Sequence, residues 1–349
     1  MKDLLRQARP FAATTRNRIV RATKIVFSFW RLSHFYYFAL SRAFSGEHGR
    51  VIKGIRLFLD MDRRRQNTYS LRRNIHRLEK GLVMQPRRRL FALDYVDETV
   101  ANYRNLCIQG SVDDSGLLDW SHDVLAEFFR VTPADPATGS ARASFEALPA
   151  RTTKKKCAPY PRSESPGSDI AYDQLLTLAQ RRRSVRAYQK RPVPRELLDK
   201  AIQVGAQSAS ACNRQPFEFR VFDDEALVRP IMRIPGGTLG WEESPPMVIV
   251  VVGHLRAFSE ERDRHLIYID SALALMPLML ALETLGLGSC IINFPDIAEK
   301  NAAMEKLLGL NEDEIVTMLL SVGYPDADGL IPFSQKKSLG ALRSYNRTA

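Results

Sequence analysis

The chain has 349 residues, 45% of them hydrophobic, which is enough to bury one large or two ordinary cores, and its formal net charge is +12. That excess calls for an anionic partner, whether nucleotide, nucleic acid or lipid headgroup, and by itself does not choose among them. Cys107, Cys157, Cys212 and Cys290 show no C-x-x-C spacing and the histidines do not cluster, which argues against a structural zinc site. With no secretory leader, reduced thiols and a cytoplasmic protein are expected.

Residues 1–45 form a basic, aromatic arm in which Ile25–Trp30 and Phe35–Leu40 alternate with arginines and lysines. Arg31, Ser33 and His34 interrupt the apolar material, so no run approaches the ~20 residues that span a bilayer. Two readings stay open: a peripheral contact with an anionic membrane on the inner face, or an arm docked on the protein's own body.

Residues 46–131 have a helical pattern. In Leu71–Leu82 the apolar Ile75, Leu78 and Leu82 share one face, while His76, Glu79 and Lys80 share another, and Gly81 is expected as a C-cap. Leu117–Val131 is a second amphipathic helix. Residues 132–169, rich in Pro, Ala, Ser, Thr and Gly and containing Lys154-Lys155-Lys156, are expected as a linker.

A second domain is expected over 170–349. Tyr172–Gln180 predicts a helix, and another starts at Pro194. Phe217–Phe222 alternates as a half-buried strand, and Met247–Val252 is continuous and β-branched like a central one. Between these strands only the turn-rich loop Ile234–Trp241 is expected. Asp270–Gly286 is a core or dimer helix rather than a membrane span; a short strand ending at Asn293, a helix over 297–310 and a strand over 315–322 complete an α+β or α/β core.

Two stretches concentrate the chemistry. Arg182-Arg183-Ser184-Val185-Arg186-Ala187-Tyr188 packs three guanidinium groups and a hydroxyl into five residues, a composition suited to phosphate and also compatible with a solvated helix face. Ser208-Ala209-Ser210-Ala211-Cys212-Asn213-Arg214-Gln215-Pro216 breaks a helix and frees amide groups for the polar edge of a ring. In this order and spacing the pair resembles the nitroreductase family of flavin enzymes, with Ala209 standing where that family often has proline.

The resemblance implies an α+β nitroreductase-like FMN fold, a central mixed or antiparallel sheet flanked by helices in an intertwined homodimer, preceded by a mainly helical N-terminal extension. It implies that Arg182 and Ser184 hold the phosphate and ribityl end of FMN, with Arg183 in the same cofactor-binding run, that Arg186 lies by the pyrimidine edge, and that Asn213, with Ser210 and Gln215 in its loop, meets the flavin ring. Ile291, Ile292 and Asn293 would cover one ring face, and Lys336 and Lys337 would reach the phosphate from the C-terminal side. Cys290 is expected as a structural thiol, and no protein group is expected to act as acid or base.

The implied reaction is a ping-pong hydride transfer from NADH or NADPH through FMN to a small organic acceptor such as a nitro or quinone-like compound. An FMN-dependent dehydrogenase or oxidase of a biosynthetic intermediate is the alternative within the fold. The His76-x-x-Glu79-Lys80-Gly81-Leu82 extension also resembles a subgroup associated with bacterial surface-polysaccharide loci, and a non-catalytic membrane-peripheral accessory protein is the reading from another class. A nucleic-acid role is not expected, because the arginines already have a phosphate to hold and no nucleic-acid motif is present. The short Ile234–Trp241 loop further suggests that residues 51–130 cap the flavin site.

Overall fold

The computed structural model describes residues 30–41, 43–110, 114–149, 151 and 156–348. Residues 1–29 of the expected arm, together with Lys154 and Lys155, lie outside them. The chain divides by packing between Ile52 and Lys53. In the first unit α1 (Trp30–Phe35) continues into a wider-wound turn at Tyr36–Leu40, with the Tyr37 and Phe44 rings 4.7 Å apart and Phe38 open to solvent.

Helix α2 (Ser45–Arg63) is followed by α3 (Thr68–Val83), α4 (Val96–Gln109), α5 (Ser115–Val131) and α6 (Pro136–Glu146). Side-chain caps start three of these helices: Asn67 accepts from the Ser70 N–H, Asp114 from that of Leu117, and Asp135 from that of Ala137. Helices α3 to α6 close on one apolar core in which the expected Ile75, Leu78 and Leu82 stripe is buried with Val100, Tyr103, Leu125 and Phe128.

Two expectations need correction here. Gly81 does not cap α3: the helix runs through it to Val83, and a Cβ at Gly81 would collide with the Phe91 ring, itself packed edge-on to Phe128 at 5.0 Å. Nor is 132–169 simply a linker. Its Asp135-Pro136 pair starts α6, whose Ala141 is buried against the helical core and whose Phe145 packs 5.5 Å from Phe129. The small residues that read as flexible are those that let a helix approach closely.

The C-terminal part is built on β1 (Phe217–Phe222), β2 (Met247–His254), β3 (Gly288–Asn293) and β4 (Glu314–Gly323), hydrogen-bonded antiparallel in the order β1-β2-β4-β3. All of β2 is buried because both its faces are covered. Helices α7 (Tyr172–Arg181), α8 (Arg195–Gly205), α9 (Glu225–Arg233), α10 (Leu266–Thr284) and α11 (Ala298–Leu308) surround the sheet. Met247, Ile249, Val251 and Leu320 meet α8 and α10 on one face, while Val248, Val250, Val252 and Leu319 meet α9 and Met304 of α11 on the other. Each such side chain contributes about 1.5–3 kcal/mol when fully buried.

Helix α9 occupies ground expected to hold only a loop. Pro230 inside it obscured the pattern, yet Asp224 caps it and Val228, Ile231 and Met232 bury its inner face. Helix α10 is long and apolar enough to cross a membrane by length and composition, but half of that window is buried in the protein. The helical region is tied to the sheet at Tyr69 of α3, whose hydroxyl lies 2.8 Å from His254 Nδ1 at the end of β2.

Candidate functional site

The arginine run begins where α7 ends. Ser184 pairs with Ser289 as a short parallel bridge, and the Val185 N–H donates to the Ser289 carbonyl at 3.0 Å, which lays the run along the start of β3. Tyr188 fixes its far end: the ring is buried, and the hydroxyl donates to the Val185 carbonyl at 2.7 Å and lies 2.8 Å from Ser321 Oγ. Burial pushes the Tyr188 phenol well above its ordinary range, so it is a neutral anchor.

The three arginines then separate in role. Arg183, expected only as part of the cofactor-binding run, turns back to donate to the carbonyls of Gln180 and Arg182, closing the end of α7. Arg182 has a buried Nε with no hydrogen-bond partner among the described residues, and Ser289 Oγ on the adjoining strand is orphaned in the same way. Arg186 stands over the Trp241 ring, 5.8 Å from its centroid. Ser184, Arg186 and Arg182 all act on Cys290: burial pushes its thiol up, and the two cations and the Ser184 hydroxyl only partly oppose this. A neutral thiol is a poor nucleophile, consistent with a structural role for Cys290.

The second stretch leaves α8 and forms a tight turn over Ala211–Asn213. Cys212, Asn213 and Gln215 have φ of 53°, 53° and 50°, a left-handed backbone that costs of order 1–3 kcal/mol at a non-glycine residue and is held only when the surroundings impose it. Those surroundings are visible. Asp270 of α10 accepts the Ala211 N–H at 3.0 Å, Ser210 Oγ accepts the Gln215 N–H at 3.2 Å, and the Gln215 amide donates to Asn213 Oδ1 at 3.0 Å. Asp270 is buried, which raises its carboxyl pKa, while the Ala211 N–H and the Arg214 charge counter the rise. Arg214 is buried too, its guanidinium over Phe258 at 4.9 Å. The turn also packs against α3, and Asn213 lines a cavity together with that helix.

On β3, Ile291 and Asn293 are exposed on a strand otherwise buried, which leaves an open edge of backbone and side chain. Ile292 points the other way into the core between the sheet and α9, so any contact it makes with a ligand is through its backbone. Lys336 and Lys337 lie in exposed coil and make no ion pair among the described residues.

Asp270 and Trp241 act on the expected residues from far along the chain, whereas Tyr188 closes the arginine run from within it. Asp270 left a signal of its own: a carboxylate near the start of an apolar helix is costly unless it has something to hold.

The Nitroreductase family model matches residues 179–324. An iodotyrosine deiodinase of Thermotoga neapolitana is 29% identical over 177 residues, 44% of this chain and 89% of its own length. An NADH dehydrogenase of Thermus thermophilus is 28% identical over 183 residues, 44% and 87% of the two chains. Among solved structures, an FMN-dependent nitroreductase from Clostridium difficile aligns with a TM-score of 0.42 at 22% identity, covering 50% of this chain and 99% of that one.

Proposed function

Residues 179–324 form a nitroreductase-family domain, and from that premise we propose that the protein is an FMN-dependent oxidoreductase. Arg182 and Ser184 hold the phosphate and ribityl end, Arg186 stabilises negative charge at the pyrimidine edge, and the Asn213 amide meets the ring. The open edge at Ile291 and Asn293 lies against one ring face. Bound FMN supplies two-electron chemistry, passing hydride equivalents from NADH or NADPH to a small organic acceptor in ping-pong order. The chain's own groups bind, orient and exclude water.

The observation that carries this reading is the pair of buried, unpartnered atoms Arg182 Nε, at the end of α7, and Ser289 Oγ, on β3 where Ser184 pairs with it. A buried donor without an acceptor costs about 1–3 kcal/mol, and a phosphate or ribityl hydroxyl at that place removes the cost. The left-handed Cys212–Gln215 turn adds a second mark of a ligand clamp.

A homodimer is part of the same proposal. Ile269, Leu273 and Met276 are 51%, 48% and 43% exposed on α10, and Leu175 and Leu176 are open on α7, an apolar face that a second copy would cover. Localisation is proposed as cytoplasmic, with residues 1–45 touching an anionic membrane surface; sedimentation with anionic vesicles tests the arm.

The decisive test is spectroscopic. Purified protein is expected to show a flavin absorbance band that bleaches under anaerobic NADH or NADPH. A colourless protein that FMN does not reconstitute refutes the proposal; a yellow one that neither donor bleaches refutes the NAD(P)H half.

A further inference from the structure

A cavity of about 680 Å³ opens between α3, α5 and the segment 156–160, with Asn213 in its wall. It is built almost entirely from residues that precede the nitroreductase domain, and Asn213 is its link to the proposed flavin site. Its volume falls within the range of small-molecule sites.

The charges around it are unequally committed. Asp114 accepts from Arg72 and, at 3.1 Å, from the Leu117 N–H. Glu79 accepts the Trp120 indole N–H at 2.9 Å and lies 3.6 Å from His76 Nδ1. Both carboxylates and the guanidinium are therefore spent on the protein itself.

Lys80 and Lys156 also line the cavity, are exposed, and make no ion pair among the described residues. Glu127, whose charge Lys156 feels, is already held by Arg130 at 2.9 Å. The uncommitted charge is thus positive, and it consists of two mobile ammonium groups with no free arginine fork. Such groups bind a carboxylate as point charges, without the bidentate match that an arginine fork offers to carboxylate and phosphate alike. The walls are aromatic: Trp120, oriented by its bond to Glu79, and Tyr160, 62% exposed. Flat apolar faces beside free cations define the complementary ligand.

We infer that this cavity is the acceptor site and takes a planar aromatic carboxylate, its anionic end between Lys80 and Lys156 and its ring against Trp120 and Tyr160. The word acceptor rests on the flavin reading above; the ligand class rests on the cavity alone. The N-terminal helices then select the molecule, and the C-terminal domain reduces it.

The test is calorimetric binding of 4-nitrobenzoate and its neutral counterpart 4-nitrobenzamide to the full-length protein with its flavin. The native protein is expected to bind the carboxylate about tenfold more tightly, as one or two charge-assisted hydrogen bonds provide. The double variant Lys80→Gln/Lys156→Gln should bring the two probes within about threefold, and Trp120→Leu should weaken both. Equal affinities in the native protein, or a preference that survives the double variant, would overturn the inference. A flavin-free protein that still shows the lysine-dependent preference upholds the cavity and sinks the flavin reading. A yellow, NAD(P)H-reducible protein with no preference does the reverse.

Discussion

Replacing Glu314 by glutamine tests how the helical region is held to the sheet. Glu314 is 2% exposed at the start of β4. It accepts from Arg256 Nη2 at 2.6 Å, Arg220 Nη2 at 2.8 Å, and the Asn311 side chain and backbone N–H at 2.7 and 3.0 Å. Burial alone would push its carboxyl up, but the bonds from Arg256 and Asn311 outweigh this and hold the pKa at about 2, against an ordinary 4.5. That depression is equivalent to about 3 kcal/mol of native-state stabilisation.

The sign follows from the folded value being the lower one. The contribution is complete above pH 4.5 and is lost as pH falls towards 2. Urea unfolding of native and Glu314→Gln proteins should therefore differ by about 3 kcal/mol at pH 7, and the gap should close between pH 4.5 and 2. A gap that persists unchanged at low pH, or one below about 1 kcal/mol at pH 7, would refute the reasoning. Arg256, which Glu314 positions, also interacts with Tyr69 of α3, a phenol that burial pushes up to about 12. Loss of Glu314 should consequently loosen the cavity wall as well as the sheet.

Three further outcomes are expected. Gly205→Ala places a Cβ 2.8 Å from the Ala274 carbonyl, where α8 crosses α10; the overpacking should cost about 1–3 kcal/mol, less up to about 1 kcal/mol regained in helix propensity, and a raised urea midpoint would contradict that contact. Asp270→Ala removes the acceptor of the Ala211 N–H and should weaken FMN binding at least about tenfold with an unchanged circular dichroism spectrum; unaltered affinity would mean that the turn does not depend on it. Arg186→Glu should abolish tight FMN binding in equilibrium dialysis, since it reverses the charge proposed for the pyrimidine edge, and retention of stoichiometric flavin would remove Arg186 from the site.

What the sequence disclosed follows interaction range. The β-branched run at Met247–Val252 and the apolar stripe of Ile75, Leu78 and Leu82 were readable because their burial is written in local periodicity. The arginine run and the Asn213 turn were readable because their residue types sit next to one another. Gly81 was misassigned because a glycine's reason lies in the residue that approaches it, here Phe91, which no spacing rule names. Helix α9 was hidden by Pro230, and α6 by a composition that small-residue packing and flexible coil share. Of the site, the unseen parts were the distant supports: Asp270 under Ala211 and Trp120 beside Glu79.

Helix α3 has two faces with separate obligations. Leu71, Ile75, Leu78 and Leu82 are bound to a core shared only with other N-terminal helices, whereas His76, Glu79 and Lys80 look into the cavity. Lys80 on the second face can change without touching the helical core, whereas Glu79 is tied to it through the Trp120 indole. On the proposed reading of the cavity as the acceptor site, a library randomised at these three positions of one helix should change which acceptor is bound while leaving flavin binding unchanged.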